Sequence, residues 1–398
     1  MSESSKNLEL LSSRMKNLHP YVPGEQPKDR VYIKLNANEN PYPPSPKVIE
    51  AVRDAVKSHP EKLGLYPDPD SLEMRKAIAR MLNECGGVLC RANLEGGHKN
   101  GSGAKVTPSS ADKLPFEVTP EMVYAGNGSD EVLSFVFYAF FDSDRPVVLP
   151  EHTYSFYPVY AGFYSVPMDK VPLKDDWTLD KDKMLVEANK SDSGIIFANP
   201  NAPTSLGLTR EEVREMIERA PKDKVFVVDE AYVDFGGESC IPLLKDFKNL
   251  VIVRTTSKSL CGAGQRIGYL VADPELVNAV TTVKNSLNHF PLDFVAQTAG
   301  KAACNDAGYY VKCAQDVAFE RDEFIDFLKE RGWFVLDSQT NFIFCKKDGV
   351  PGRETYQKIK ENGILVRHFD TPGIEDFLRI TVGTHGQMQA LKKVMEAI

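Results

Sequence analysis

The chain has no long apolar run, no surplus of positive charge and no paired cysteines. Nothing in its 398 residues is apolar over a length that spans a bilayer as a helix. The amino terminus, MSESSKNLELLSSRMKN, lacks the apolar core of a secretory signal. Both absences argue against a membrane partner. Acidic side chains outnumber basic ones by 56 to 48, for a formal net charge of −8. That balance argues against a nucleic-acid groove as the main business. Seven cysteines, Cys85, Cys90, Cys240, Cys261, Cys304, Cys313 and Cys345, are scattered and odd in number. They fit reduced thiols in a cytoplasmic protein better than a disulfide framework. Cys85 and Cys90 have no partner pair at zinc-finger spacing, so no metal site is expected there. No internal repeat is present.

What remains is an ordinary globular composition, 42% hydrophobic and 26% charged. The length suits one large domain and a smaller one. Short apolar runs at 146–149, 194–197, 225–228 and 250–253 read as strands buried on both faces. Thr209 and Glu212 form a capping-box pattern between the second and third of these, so a helix starts there. Such alternation predicts an α/β fold with a mostly parallel central sheet flanked by helices. The last ninety or so residues read differently. A helix pattern at 317–329 precedes short strand-like runs at 333–335, 341–344, 364–367 and 377–380. These predict a smaller α+β domain. The stretch from Gly96 to Lys113 is poor in hydrophobics and reads as a flexible surface loop.

The chemistry concentrates around Lys258, in Thr255-Thr256-Ser257-Lys258-Ser259, with Arg266 a little further on. An apolar strand ends just before it. A lysine presented at a strand end, beside Ser257 and Arg266 for a phosphate, suits a Schiff base with pyridoxal 5'-phosphate. An ordinary surface lysine in a polar turn is the plain alternative, and the surrounding residues weigh against it. Asp229 ends another buried strand, in Asp229-Glu230-Ala231-Tyr232. Ligands of open α/β sheets bind at such ends. There a carboxylate would keep a pyridine nitrogen protonated. Tyr232 would reach the ring's phenolic oxygen. A helix cap is the plain alternative for Asp229. Gly126-Asn127-Gly128-Ser129-Asp130 is a glycine turn opening an apolar helix, and its N–H groups with Ser129 make a phosphate seat. Tyr154, just past a strand end, is placed to stack on a flat ring or to pack in the core. Arg379, inside an apolar strand, needs a partner, either a substrate carboxylate or a structural ion pair.

With these residues in view, the chain resembles the pyridoxal-phosphate enzymes of the aspartate aminotransferase fold. More narrowly, it resembles the histidinol-phosphate aminotransferases. The motifs span nearly the whole chain: Leu18-His19-Pro20-Tyr21, Asn36-Ala37-Asn38-Glu39-Asn40-Pro41, Leu65-Tyr66-Pro67-Asp68, Asp229 to Tyr232, and Ser257-Lys258 to Arg266. The resemblance implies catalysis by Lys258, Asp229 and Tyr232. It implies cofactor contacts from Gly128, Ser129, Asp130, Tyr154, Asn201, Ser257 and Arg266, and substrate contacts from Tyr21, Asn38, Arg367 and Arg379. Tyr21 and Arg367 would hold the substrate phosphate, and Arg379 the end shared by the amino donors. It also implies a homodimer in which Tyr66 reaches the other subunit's cofactor phosphate. The small-molecule substrates would be glutamate, 2-oxoglutarate and a phosphorylated amino alcohol. An aromatic amino-acid aminotransferase and a phosphothreonine decarboxylase share Lys258 and Asp229 and are the rivals within the fold. A cofactor-binding regulator would need a DNA-binding module, for which the first forty residues are too short and too rich in proline.

Two departures from the family pattern stand out. The segment between Arg80 and Val118 is long, and Ala202 stands where the family has the asparagine that contacts the ring oxygen. Tyr232 and Asn201 are then expected to serve that oxygen. The expected division is an N-terminal arm with part of the small domain at 1–44, a large cofactor-binding domain at 45–305 and a small domain at 306–398. The large domain would carry a flexible insertion at about 86–117.

Overall fold

The computed structural model describes residues 10–21, 24–92, 106–108 and 113–398. Seven strands build the central sheet: Val123–Asn127 (β1), Val147–Pro150 (β2), Met168–Val171 (β3), Ile195–Ala198 (β4), Phe226–Asp229 (β5), Leu250–Thr255 (β6) and Ile267–Ala272 (β7). Their order across the sheet is β1-β7-β6-β5-β4-β2-β3. All run parallel except β7, which is antiparallel to both β1 and β6. Every residue of β2, β4, β5 and β6 is buried, because alternate side chains feed two separate cores. Ile195, Phe197, Phe226 and Val228 enter one, with the helices Leu72–Glu84 and Arg210–Arg219. Ile196, Val227, Val251 and Val253 enter the other, with Gly128–Phe140 and Pro274–Leu287. This two-sided burial is why these strands read as unbroken apolar runs.

The sequence pattern missed β1, β3 and β7. β3 is an edge strand with only one residue fully buried. Gly126 and Gly268 interrupt β1 and β7. At Gly268 the reason is steric: a Cβ would lie 2.3 Å from the backbone of Gly128 and Ser129. The capping box of Thr209 and Glu212 is formed in both directions and opens Arg210–Arg219.

The C-terminal unit is a four-stranded antiparallel sheet in the order Phe334–Val335, Phe342–Lys346, Leu378–Thr381, Arg367–His368. Its helix begins at Ala307, well before the expected 317, and runs to Lys329. The single strand expected at 364–367 is two. Arg367–His368 pairs with Leu378–Thr381, whereas Ile364–Leu365 turns to pair in parallel with Ile33–Lys34. The N-terminal segment thereby joins the C-terminal unit, and Thr381 N–H donates to the Leu35 carbonyl at 2.9 Å.

Most of the expected flexible loop lies outside the described residues. Its described part, Val106–Pro108, pairs antiparallel with Cys90–Ala92. The base of the insertion is not loose. Asn83 exchanges two hydrogen bonds with the Val118 backbone, both 2.9 Å, and residues 86–90 are buried.

Gly268→Ala should test the close approach of β7 to the Ser129 turn. Overpacking of this kind costs on the order of 1–3 kcal/mol. Denaturant unfolding should show that loss. An unchanged midpoint would mean that the turn yields freely and that its geometry is not fixed by Gly268.

Candidate active site

The carboxyl ends of the parallel strands meet at one edge of the sheet. Because β7 is reversed, its amino end, led by Arg266, arrives at the same edge. A cavity of about 330 Å³ opens there, lined by Ser129, Asp130, Tyr154, Asp229, Tyr232, Ser257, Lys258 and Arg266. That volume suits a small cofactor.

Lys258 follows the end of β6. Its Nζ donates to the Ala37 carbonyl at 3.4 Å and lies 5.7 Å from the centre of the Tyr232 ring. Asn40 Nδ2 donates to the Lys258 carbonyl at 2.9 Å and fixes the backbone beneath it. Burial, and then the charge of Arg379, push the amine down from the usual lysine range to about 8. Asp229 accepts from the Tyr157 hydroxyl at 3.0 Å and from the Ala231 N–H at 3.1 Å. Burial raises its carboxyl to about 6, and these two hydrogen bonds oppose the rise. Among the described residues no cation pairs with Asp229.

Ser129, Thr255, Ser257 and Arg266 gather at the phosphate end. The Thr255 hydroxyl donates to Ser257 Oγ at 2.9 Å and accepts the Ser257 N–H at 3.1 Å. Arg266 pairs with Asp130 at 3.1 Å, and Asp130 also accepts the Tyr154 hydroxyl at 2.9 Å. Gly128, at φ +76°, leaves room for Arg266: a Cβ would lie 2.7 Å from its Nη2.

A second cavity, of about 220 Å³, shares Tyr154 and Ala202 with the first and contains Tyr21 and Arg379. Tyr21 stacks on Phe156 at 4.7 Å. Arg379 Nη2 donates to the Asn36 carbonyl at 3.2 Å, while its Nε is buried with no hydrogen-bond partner among the described residues. Arg367 is its cross-strand neighbour and lies over Phe369, 5.5 Å from the ring centre.

Arg367 and Gly128 line neither cavity, and three further expected residues stand elsewhere as well. Asn201 does not face the cavity. Its amide donates to the His152 carbonyl and the Thr204 hydroxyl, and accepts from Thr153 Oγ1. The wall position belongs to Ala202, so Asn201 does not replace the missing asparagine. Asn38 sits behind the site: its Nδ2 donates to the Tyr232 hydroxyl at 2.9 Å, and Thr381 holds Asn38 in turn. Tyr66 is 84% exposed and stacks on Phe290 at 4.6 Å, outside both cavities. The sequence reading also passed over Thr255 and Tyr157. Thr255 was signalled by its hydroxyl at a strand end. Tyr157 was hidden in a run of aromatics.

A model of the family "Aminotransferase class I and II" matches residues 30–398. The chain is a class I and II aminotransferase. Histidinol-phosphate aminotransferase of Syntrophus aciditrophicus (strain SB) is 41% identical over 396 residues, covering 99% of each chain. That of Acinetobacter baumannii (strain AYE) is 39% identical over 396 residues, covering 100% of this chain and 99% of the relative. Among solved structures, histidinol-phosphate aminotransferase from Sinorhizobium meliloti in complex with pyridoxal-5'-phosphate matches with a TM-score of 0.79. It is 22% identical and covers 97% of this chain and 98% of that one. A Thermus thermophilus aspartate aminotransferase tetra mutant matches at 0.75 and 19% identity, covering 96% and 99%. At such identities the structures establish the shared fold.

The residues of this aminotransferase fit pyridoxal phosphate. Asp229 is a carboxylate without a cation and can face a pyridinium N–H. Lys258 is an amine that burial keeps easily deprotonated. Thr255, Ser257, Ser129 and Arg266 supply donors for a phosphate.

Tyr157→Phe should separate positioning from packing. The Tyr157 hydroxyl bonds to the ionised carboxylate, so its loss raises the Asp229 pKa further. Hydrogen bonds to charged groups support a shift of about one pH unit. In the cofactor-free protein the Asp229 carboxyl, followed by carbon NMR titration, should titrate higher by that amount. A titration that stays in place would leave Tyr157 a packing residue only.

Proposed function

We propose that this aminotransferase exchanges amino groups between histidinol phosphate and 2-oxoglutarate, forming imidazole acetol phosphate and glutamate in histidine biosynthesis. The observation that carries the substrate assignment is identity of 41% with a histidinol-phosphate aminotransferase along 99% of each chain. The pair Arg367 and Arg379, with the unpartnered Nε of Arg379, supports an anionic substrate. All seven cysteines are free, which supports a reducing, cytoplasmic setting.

Bound at this site, pyridoxal phosphate supplies an aldehyde that takes up the amine and a ring that withdraws electrons from the α-carbon. Lys258 would hold the group through its amine and, when free, would carry a proton to and from the substrate's α-carbon. Asp229 keeps a negative charge opposite the ring nitrogen, with Tyr157 orienting it. Tyr232, held by Asn38, hydrogen-bonds the ring oxygen. Ser129, Thr255, Ser257 and Arg266 hold the cofactor phosphate. Arg379 takes the end shared with glutamate, and Arg367 with Tyr21 takes the substrate phosphate.

A glutamate-coupled assay should show imidazole acetol phosphate used far better than phenylpyruvate, and histidinol phosphate far better than histidinol. A site that pairs with a dianion loses that pairing with the analogue that lacks the phosphate. Preference for phenylpyruvate would instead favour the aromatic aminotransferase reading.

We further propose a homodimer in which Tyr66 serves the partner's cofactor phosphate. Its exposure and its distance from both cavities of its own chain support this. Mixing inactive Tyr66→Phe and Lys258→Ala subunits should give heterodimers with one intact site, and partial activity should return. No recovery despite demonstrated subunit exchange would put Tyr66 in its own subunit's site.

A further inference from the structure

The second cavity carries a charge that the residues assigned so far do not use. Glu151 follows β2 and lines this cavity with Tyr21, Tyr154, Phe369 and Arg379. Its backbone is fixed by a bond from its N–H to the Val171 carbonyl at 2.8 Å. Its carboxylate has no hydrogen bond or ion pair among the described residues. Lys170, on the adjacent strand β3, lines the same cavity and is likewise unpaired. The exposed side of the cavity thus carries charges of both signs, Glu151 and Lys170. At its buried side stands Arg379, whose Nε–H lacks an acceptor. At its solvent side stands Glu151, an acceptor that lacks a donor. Aromatic rings line the same cavity: Tyr21 stacked on Phe156, Tyr154, and Phe369 beneath Arg379.

A ligand that satisfies all of this has an anion at one end, a flat body and an N–H donor at the other. An imidazole meets the aromatic walls and offers that N–H, doubly so when protonated. A benzene ring meets the walls and leaves the carboxylate without a partner. A hydroxybenzene ring offers one donor, in a position set by its longer reach. We infer that Glu151 is the residue by which this site selects an imidazole side chain over a benzenoid one. The inference rests on the histidinol-phosphate reading and extends it to the recognition of the ring. A site that hydrogen-bonds a substrate group discriminates strongly against analogues lacking it. Exposure of Glu151 to solvent weakens the bond, so about a tenfold effect is expected rather than the larger ratios of fully buried sites.

The experiment compares histidinol phosphate with phenylalaninol phosphate, which differ only in the ring, on the holoenzyme and on Glu151→Gln. The readout is the ratio of their kcat/KM values, supported by Kd for each compound measured calorimetrically on the Lys258→Ala background. Glu151→Gln should lower both ratios about tenfold, and Glu151→Asp should restore part of the difference. Because Glu151 is exposed, these variants are expected to fold, and circular dichroism checks that they do. Equal losses on both substrates, or no loss on either, would overturn the role of Glu151 while leaving the reaction intact. A wild-type enzyme that does not turn over histidinol phosphate would overturn the substrate reading, and the Glu151 assignment with it.

Discussion

The Lys258 amine and the Asp229 carboxylate line one cavity without forming an ion pair. Two opposite charges sheltered from water and not allowed to meet are costly to hold. Each answers by moving toward its neutral form, the amine down to about 8 and the carboxyl up to about 6. That separation leaves room for a ligand carrying an aldehyde for one and a protonated nitrogen for the other. Much of the surrounding structure keeps the two apart. Tyr157 and the Ala231 N–H occupy Asp229, and the Ala37 carbonyl occupies Lys258.

Beneath them lies a buried polar network that ties both loops down. Arg254, inside β6, pairs with Glu230 at 2.6 Å, next to Asp229 in the chain. Its Nη2 also donates to the Gly87 carbonyl at 2.6 Å. Asp234 accepts from Ser259 Oγ at 2.6 Å and from the Leu89 N–H at 2.8 Å. A charged residue in the middle of a buried strand is tolerable only when its hydrogen bonds are met, and here they are. The loop after β5, the turn after β6 and the base of the long insertion are thus held by one set of side chains. The insertion starts as packed structure for this reason, although its composition suggests a loose loop.

Lys258, Asp229 and Ser257 were legible because a buried strand announces itself as an apolar run and its polar end follows at once. Arg266 was legible as a neighbour of Lys258 in sequence. Its arrival at the cavity depends on the reversal of β7, a strand that glycine hides from any periodicity argument. The pair Asn201 and Ala202 marks the limit of such reading. Adjacent residues in a turn point in different directions, and the backbone decides which one faces the cavity. Here the turn closes through Ser205 N–H to the Asn201 carbonyl, and the Asn201 side chain is consumed by His152, Thr153 and Thr204. Residue type alone suggested that a nearby asparagine would take over the missing contact. Local hydrogen bonding assigned it to the turn. Tyr157 was illegible for the opposite reason, since a buried tyrosine among aromatics looks like core until its hydroxyl partner is known.

The N-terminal motif gains its meaning from this arrangement. Residues 36–40 follow the strand pair formed by 33–34 and 364–365, and Ala37 and Glu39 among them line the first cavity. The Asn36 carbonyl takes an N–H from Arg379, and the Ala37 carbonyl takes the Lys258 amine. Asn38 holds Tyr232, and Asn40 holds the Lys258 backbone. Asn38 therefore acts through Tyr232, which explains why it lines neither cavity. The arginines that suit a substrate anion belong to the C-terminal sheet, and the lysine belongs to the central sheet. The two sheets share one continuous core, which Ile195, Phe197 and Val228 enter from the central sheet and Phe342, Leu378 and Ile380 from the C-terminal one, and the segment 36–40 is bonded to both. The Arg379 guanidinium and the Lys258 amine are thus tied through successive carbonyls, Asn36 and Ala37, to one short bent piece of chain, whose turn at Asn38 takes a left-handed φ of 54°.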